Sequence, residues 1–425
     1  MREALSALTL RGRAFLAAGV TAVACAIVLG QPMLTRVGIL LTAVPLITAA
    51  VVGQGRYRLA LVRTVSPDLV AAGQAARVQL ALTNEGRTPT GVLLLEDQVP
   101  YVLGTRPRFV LEGIGHGWRR HVTYQVRSDV RGRFEIGPMT VRVSDPFGMV
   151  EYTRAFTSTS TLTVTPQVLP LSGIPIGGAW TGSGDNRPRA FATGSAEDVT
   201  VREYRRGDDL RRVHWRSSAR MGELMVRREE QPWQSRATIF LDNRVSSHRG
   251  HGSASTFEVA VIAAASIGLH LVHRGFLVRL VTASGEADAT KWHVRDEETN
   301  RRTLLDSLAV LTLTDRAHLE SGWLVESARS GVVIGVLGNI NVVDHSVLRR
   351  MAAHATSALA VALQADAWAV GPDYRNVSPV AAAELGALGW RAVNLRPADR
   401  LPAVWEQLGR TGGPVSAPSG WSGRR

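Results

Sequence analysis

The sequence predicts a membrane-anchored, multidomain chain: an N-terminal transmembrane helical hairpin, an antiparallel β-sandwich, and an α/β doubly wound domain. Three observations predict it. Two uncharged apolar runs stand back to back, Ala14 to Gly30 and Val37 to Gly53. Residues 60–165 then alternate apolar and polar side chains in short runs broken by turns. From Thr238 onward, short apolar strands alternate with longer helical patterns.

Each apolar run is near the minimum of about 17 residues that crosses a bilayer core as a helix. Only Gln31 to Arg36 separates them, so the pair reads as a hairpin, and residues 1–56 form the anchor. Arg2, Arg11 and Arg13 precede it, Arg56, Arg58 and Arg63 follow it, and the turn holds only Arg36. The positive-inside rule therefore keeps both flanks, and the large domains after them, in the cytoplasm of a multi-pass plasma-membrane protein. A cleavable signal peptide ending at Ala22-Val23-Ala24, or a lipoprotein site at Cys25, is the competing reading. Against both, the apolar run continues past Cys25 and a second run follows. Core helices of a soluble domain would show a polar face, and these runs have none.

Residues 57–165 supply the sandwich. Arg77 to Leu82 reads as a strand closed by Asn84-Glu85-Gly86, and similar strands follow at Gly91 to Leu95, Arg108 to Leu111 and Trp118 to Val126. Phe134 to Val143 leads into Asp145-Pro146-Phe147-Gly148, and Met149 to Phe156 and Leu162 to Thr165 close the set. Residues 166–198, rich in Pro, Gly and Ser, read as a linker long enough to wrap a neighbouring domain. Residues 236–410 carry the α/β pattern: strands at Thr238 to Leu241, Phe276 to Val281, Val332 to Leu337, Ala358 to Leu363 and Ala392 to Leu395. Helices fall at Thr256 to Val272, Arg301 to Leu311 and Ser346 to Ala353. Residues 411–425 read as a disordered tail.

Composition excludes several classes. Cys25 is the single cysteine, which removes disulfide frameworks, cysteine zinc sites and cysteine-pair redox chemistry. The net charge of +13 rests almost wholly on arginine, since Lys291 is the lone lysine. That mix fits the codon usage of a GC-rich genome, as in actinobacteria, and helps hold a tethered domain at anionic lipid; nucleic acid is not an expected partner. The sequence holds no Walker-type phosphate loop, no Gly-x-Ser-x-Gly elbow and no His-Glu-x-x-His. Gly182-Ser183-Gly184 reads as a linker fragment, and Asp306 and Asp315 as helix-face and capping residues.

The most specific stretch lies in residues 199–235 and runs Val199 to Glu230. A strand leads in, Gly207 permits a tight turn, and Asp208 caps a short helix that carries Val213 and Trp215 inward. Its arginines either pair with Glu203, Asp208, Asp209 and Glu223 as a surface brace, or grip the carboxylates or phosphates of a partner.

That stretch resembles the signature of the domain of unknown function 58 family. The resemblance rests on Arg202-Glu203-Tyr204-Arg205-Arg206-Gly207-Asp208, with Arg211, Trp215, Ser218-Ala219-Arg220 and Leu224-Met225-Val226. Upstream, Arg131-Gly132-Arg133, Gly137-Pro138 and Asp145-Pro146-Phe147-Gly148 fit the same family, as does the hairpin. The resemblance implies a von Willebrand factor A-like domain, a MoxR-type AAA+ ATPase as partner, and often a transglutaminase-like membrane protein beside it. Arg202, Tyr204, Gly207, Asp208, Arg211, Trp215 and Arg220 are then the partner-binding candidates.

Domains of that type often hold Mg²⁺ through Asp-x-Ser-x-Ser after the first strand, since a hard cation takes oxygen ligands. Here Asp242 and Ser246 match, while Arg244 stands at the first serine position and opposes a cation. No cofactor is expected: Arg244 is read as pairing with Asp242, and His248 and His251 as loop residues. The expected function is that of a non-enzymatic, membrane-tethered adaptor or scaffold acting with the ATPase in assembly or activation of a client. The alternatives are a metal-dependent binding module on Asp242 and Ser246, and an enzyme of unknown reaction sited in Arg202 to Arg220.

Overall fold

The computed structural model describes residues 7–54, 59–86, 92–112, 114–145, 147–176, 200–204, 215–228, 236–286, 296–324, 330–368 and 380–411. The chain divides into two compact units, Met1–Gln167 and Val168–Arg425.

The first unit begins with α1 (Leu10–Leu29) and α2 (Pro32–Gln54), both long and apolar enough to cross a membrane. The 20 residues of α1 give about 30 Å, the thickness of a hydrocarbon core. Glycines set the helix crossing: a Cβ at Gly19 would lie 2.8 Å from Thr42 N, and one at Gly38 2.8 Å from Val23 N. With those positions bare, the backbones approach closely, the packing that operates where apolar burial gives no drive between helices. The outward sides stay apolar and exposed, as at Ile27, Val28, Leu40 and Ile47.

Ten strands follow: β1 (Leu59–Ser66), β2 (Leu69–Ala71), β3 (Ala75–Asn84), β4 (Val92–Asp97), β5 (Arg108–Leu111), β6 (Arg119–Arg127), β7 (Gly132–Ile136), β8 (Met139–Ser144), β9 (Glu151–Phe156) and β10 (Ser160–Thr165). They form sheets ordered β1-β3-β6, β5-β4-β8-β9 and β2-β10-β7, antiparallel except where β2 runs parallel to β10. Period-two alternation builds the core: Ala76, Val78, Leu80 and Leu82 of β3 are buried while the residues between them are not. They meet Leu93, Leu95, Met139, Val141 and Leu162.

Inside this apolar interior lies an ion pair. Arg63 reaches Asp97 through Nη2 at 2.6 Å and Nε at 3.3 Å, and Tyr124 Oη donates to the same carboxylate at 2.6 Å. Burial, and then the bond to Asp97, push the Tyr124 pKa up, so its hydroxyl remains a donor. Gly137 makes room for this group. Its φ is +108°, and a Cβ there would stand 2.6 Å from Arg63 Nη1. The Asp145 turn joins sandwich to hairpin: Asp145 carboxylate oxygens accept from Phe147 N and Val150 N, while Thr9, the α1 N-cap, donates to Gly148 O and Met149 O.

In the second unit, residues 168–176 form neither helix nor strand, yet lie against the α/β core instead of spanning free space. Leu169 N donates to Ser266 Oγ, Trp405 Nε1 to Ser172 O, Arg274 to Ile174 O and Arg391 to Pro175 O. Next come β11 (Thr200–Glu203), α3 (Trp215–Met221) and β12 (Met225–Arg228), with β11 and β12 antiparallel.

The core is a six-stranded sheet of β13 (Arg236–Leu241), β14 (Leu277–Thr282), β15 (Gly285–Glu286), β16 (Ser330–Leu337), β17 (Ala355–Leu363) and β18 (Arg391–Leu395). Its order is β15-β14-β13-β16-β17-β18, parallel except for edge strand β15. Helices α4 (Thr256–His273), α5 (Glu297–Val310), α6 (His345–His354), α7 (Val380–Ala387) and α8 (Leu401–Arg410) complete it. Ile239 faces Gly268 of α4 and Leu304 of α5, whereas its neighbour Phe240 joins Leu348 and Met351 of α6 and Leu385 of α7, so both sheet faces are covered. Helix α4 is also long and apolar enough to cross a membrane, but two thirds of it is buried in this core. Ser255 caps α4 and Asp296 caps α5, accepting from Glu258 N and Thr299 N. The predicted strands here lie within observed ones except at Phe276, which stands one residue ahead of β14; α7 and α8 carry no boundary signal that the sequence reading used. Asp315, expected as a cap, is exposed in a segment that opens no helix.

Candidate functional site at the carboxyl edge of the α/β sheet

Numbered within its own sheet, the strand order is 3-2-1-4-5-6, and the order reverses between β13 and β16. Ligand sites of open α/β sheets gather outside the carboxyl ends of the strands at such a reversal. Asp242, Asn243 and Arg244 leave β13 there, and Asp344 stands seven residues past the end of β16. All four are buried, between 1% and 4% exposed.

Arg244 lies between the two carboxylates. Its Nε and Nη2 donate to Asp242 at 3.0 and 2.8 Å, and its Nη1 and Nη2 donate to Asp344 at 2.8 Å each. Nη1 also donates to Ala317 O at 3.1 Å, so all five guanidinium N–H groups are used. Burial alone would lower the Arg244 pKa, but the bonds to Asp242 and Asp344 outweigh it and raise it. The oxygens that the sequence motif offers to a cation are thus occupied by a cation of the chain itself. Ser246, the other motif residue, is exposed, with its carbonyl accepting from Arg249 Nη1 at 3.0 Å. Among the described residues no cluster of three or more His, Cys, Asp or Glu is placed to hold a metal ion.

The surrounding loops are tied to this cage. Asn243 donates to Thr312 O and accepts from Ala283 N, linking the ends of α5 and β14. Asn341 N donates to Asp344, closing a capping box ahead of α6. His248, read from sequence as a loop residue, is instead buried: Nε2 contacts Asp242 O at 2.7 Å and Nδ1 contacts Thr256 Oγ1 at 3.1 Å. A carbonyl only accepts, so Nε2 carries the proton. Its partner His251 is exposed.

Burial lowers the His248 pKa below 6.5, and Arg244 and Arg249 add to this, against the opposing pull of Asp242. His270, packed edge-on against Trp405, is lowered for the same first reason. A histidine whose folded pKa is depressed stabilises fully above its unfolded pKa, and that contribution is lost as pH falls through the folded value. Thermal stability of the α/β unit is therefore expected to decline below about pH 6.5, with His248 contributing up to about 1.4 kcal/mol per pH unit. His248→Gln should flatten that decline in melting curves; an unchanged slope would remove His248 from this role.

The signature residues are placed only in part. Arg202 lies in β11, with Tyr204 just beyond it, and Gly207, Asp208 and Arg211 fall outside the described residues, as do Val213 and the predicted cap. Tyr204 N donates to Leu224 O at 2.8 Å, and Ser218 Oγ accepts from Met225 N at 2.9 Å, which holds α3 against the start of β12. Trp215 corrects the expectation that it points inward: it is 72% exposed, at the first position of α3. Seven residues make only two turns, and Ser218 at the middle of α3 faces Met225. Trp215, Arg216, Ala219 and Arg220 are all exposed.

A parallel α/β sheet whose switch point is closed by an internal ion cage, preceded by a strand–helix–strand signature, defines the class of this half of the chain. Residues 200–311 match the family described as "Protein of unknown function DUF58". No curated protein matches the chain in sequence. Structural likenesses include the CARDB domain of the PF1109 protein from Pyrococcus furiosus (15% identity, 26% of this chain, 93% of that one, TM-score 0.20). Another is the putative ApaA protein from Bordetella pertussis (13% identity, 25% and 94% coverage, TM-score 0.21). At those TM-scores neither bears on what the chain does.

Proposed function

We propose that this protein is a membrane-tethered cytoplasmic adaptor whose von Willebrand factor A-like unit works with a MoxR-type AAA+ ATPase on a client protein. The observation that carries the reading is the exposed face of α3. Trp215 with Arg216 and Arg220 is the pairing of aromatic and guanidinium groups in which interface energy concentrates. It lies within the segment that matches the family. The cage at the sheet edge supports an adaptor over a metal-dependent module, because Arg244 takes the carboxylate oxygens. The hairpin supplies the tether, and its flanking arginines favour the cytoplasm for both ends.

Trp215→Ala and Arg220→Ala are expected to weaken capture of the ATPase, each by about 2 kcal/mol or more, and to leave the melting temperature unchanged. Trp405→Ala, in the core, is the control that melts early. If the α3 variants melt as early as the Trp405 variant, or if they bind the ATPase as the wild type does, α3 is not the docking face. For topology, reporter fusions at Arg58 and Arg425 should both report the cytoplasm. A periplasmic signal from either would end that placement.

A further inference from the structure

One end of the β-sandwich gathers the hairpin and several loops. β8 and β9 close there through the Asp145 turn, with Ser144 opposite Glu151, and β4 starts there, with Val92 opposite Ser144. β1 arrives from α2 with Leu59 opposite Asn84, the last residue of β3. Asn84 in turn binds the loop before β6, its Nδ2 donating to Ile114 O at 2.9 Å and its backbone N–H to Trp118 O at 3.2 Å.

Two aromatic side chains stand out into solvent at this end, Phe147 at 65% and Trp118 at 62% exposed. Phe147 sits in the turn whose next two carbonyls accept from Thr9, and Arg120 lies over the Trp118 ring at 5.8 Å. Arg11 and Arg13 follow Thr9, and the apolar run begins at Ala14. At 1.5 Å per residue, Thr9 stands about 7 Å outside that run, the depth of a headgroup layer. Glu85, Glu112, Asp145 and Glu151 lie at the same end, the last paired with Arg142 at 3.6 Å, and Arg11, Arg13, Arg119 and Arg120 outnumber the other three.

We propose that this end of the sandwich rests on the bilayer surface, with Phe147 and Trp118 seated in the lipid interface and Arg11, Arg13 and Arg120 at phosphate level. Aromatic rings concentrate at that depth, and arginine is drawn to anionic headgroups. The inference rests on the hairpin spanning the membrane, whose failure the experiment separates from its own. The opposite end provides the contrast. Tyr101, 91% exposed, follows Asp97, which pairs with Met139 at the far end of β8.

The test uses the full chain in vesicles of phosphatidylcholine and phosphatidylglycerol carrying spin-labelled lipid at a shallow or a deep position. An environment-sensitive fluorophore is attached at the native Cys25, or, in a Cys25→Ala background, at Phe147→Cys, Trp118→Cys or Tyr101→Cys. The expected result is loss of Cys25 emission to the deep label, and a blue shift with loss of emission to the shallow label at positions 147 and 118. Tyr101→Cys should keep aqueous emission. If Cys25 is quenched by the deep label while 147 or 118 stays aqueous, the proposal is overturned and the hairpin stands. If Tyr101→Cys is quenched equally, the orientation is wrong. If Cys25 itself is aqueous, the spanning hairpin and the proposal fall together.

Discussion

Replacing Arg244 by alanine is expected to cost the α/β unit on the order of 3–5 kcal/mol. The loss follows from what remains, since Asp242 and Asp344 are each about 2% exposed and would face one another without their shared cation. Breaking a buried pair by removing one partner is costly because a desolvated charge is left uncompensated. Arg244→Lys should recover part of the loss, restoring charge but not the five directed donors. Arg244→Ser gives the more searching comparison. It removes the internal cation and adds a hydroxyl beside two carboxylates, an oxygen set suited to Mg²⁺. Mg²⁺ should raise the melting temperature of that variant and leave the wild type unmoved. A destabilisation by Arg244→Ala below about 1 kcal/mol, which is what an exposed pair gives, would show that the cage is not what holds these loops.

Arg63→Ala is expected to damage the sandwich on the same scale, about 3–5 kcal/mol. Asp97 is fully buried, and without Arg63 it keeps the Tyr124 hydroxyl as its side-chain donor at 2.6 Å. Arg63→Met with Asp97→Leu, which removes both charges and fills the space, should regain most of that loss, since an apolar pair of similar volume often matches a buried ion pair. Gly137→Ala should act on the same group, because its Cβ meets Arg63 Nη1 and its φ is positive. Chemical denaturation of the detergent-solubilised chain measures all three. A double variant no more stable than Arg63→Ala would mean that shape, rather than the stranded charge, dominates.

Much of the layering was legible because it is written in periodicity. Alternation in β3 marks a half-buried strand, and the uninterrupted apolar runs of β13 and β16 mark strands covered on both faces. Asp242 and Arg244 were legible too, because strand end and loop are adjacent in sequence. Asp344 was not: it joins Arg244 across 100 residues, and its only local signal is the Asn341 spacing of a capping box. Arg63 and Asp97 escaped for a related reason. On strands paired in different sheets, each reads as an ordinary polar position, and only the folded sandwich brings them together. Trp215 was misread because a large aromatic in a charged run is usually core, yet this two-turn helix carries it on a side left exposed among the described residues. Residues 168–176 were read from composition as part of a linker long enough to wrap a neighbouring domain, and composition is blind to the contacts such a strip makes, here backbone carbonyls accepting from Trp405, Arg274 and Arg391.

That last segment decides where the protein can be divided. The family match begins at residue 200, which invites a cut just before it. A fragment starting there would discard the carbonyls of Ser172, Ile174 and Pro175, stranding the indole N–H of Trp405 and the guanidinium of Arg391. It would also bare Gly409, whose missing side chain is the space that Ile174 fills. The smallest self-sufficient piece of this half therefore starts near Val168, and any transplant of it into another protein should carry that strip along as part of the cargo.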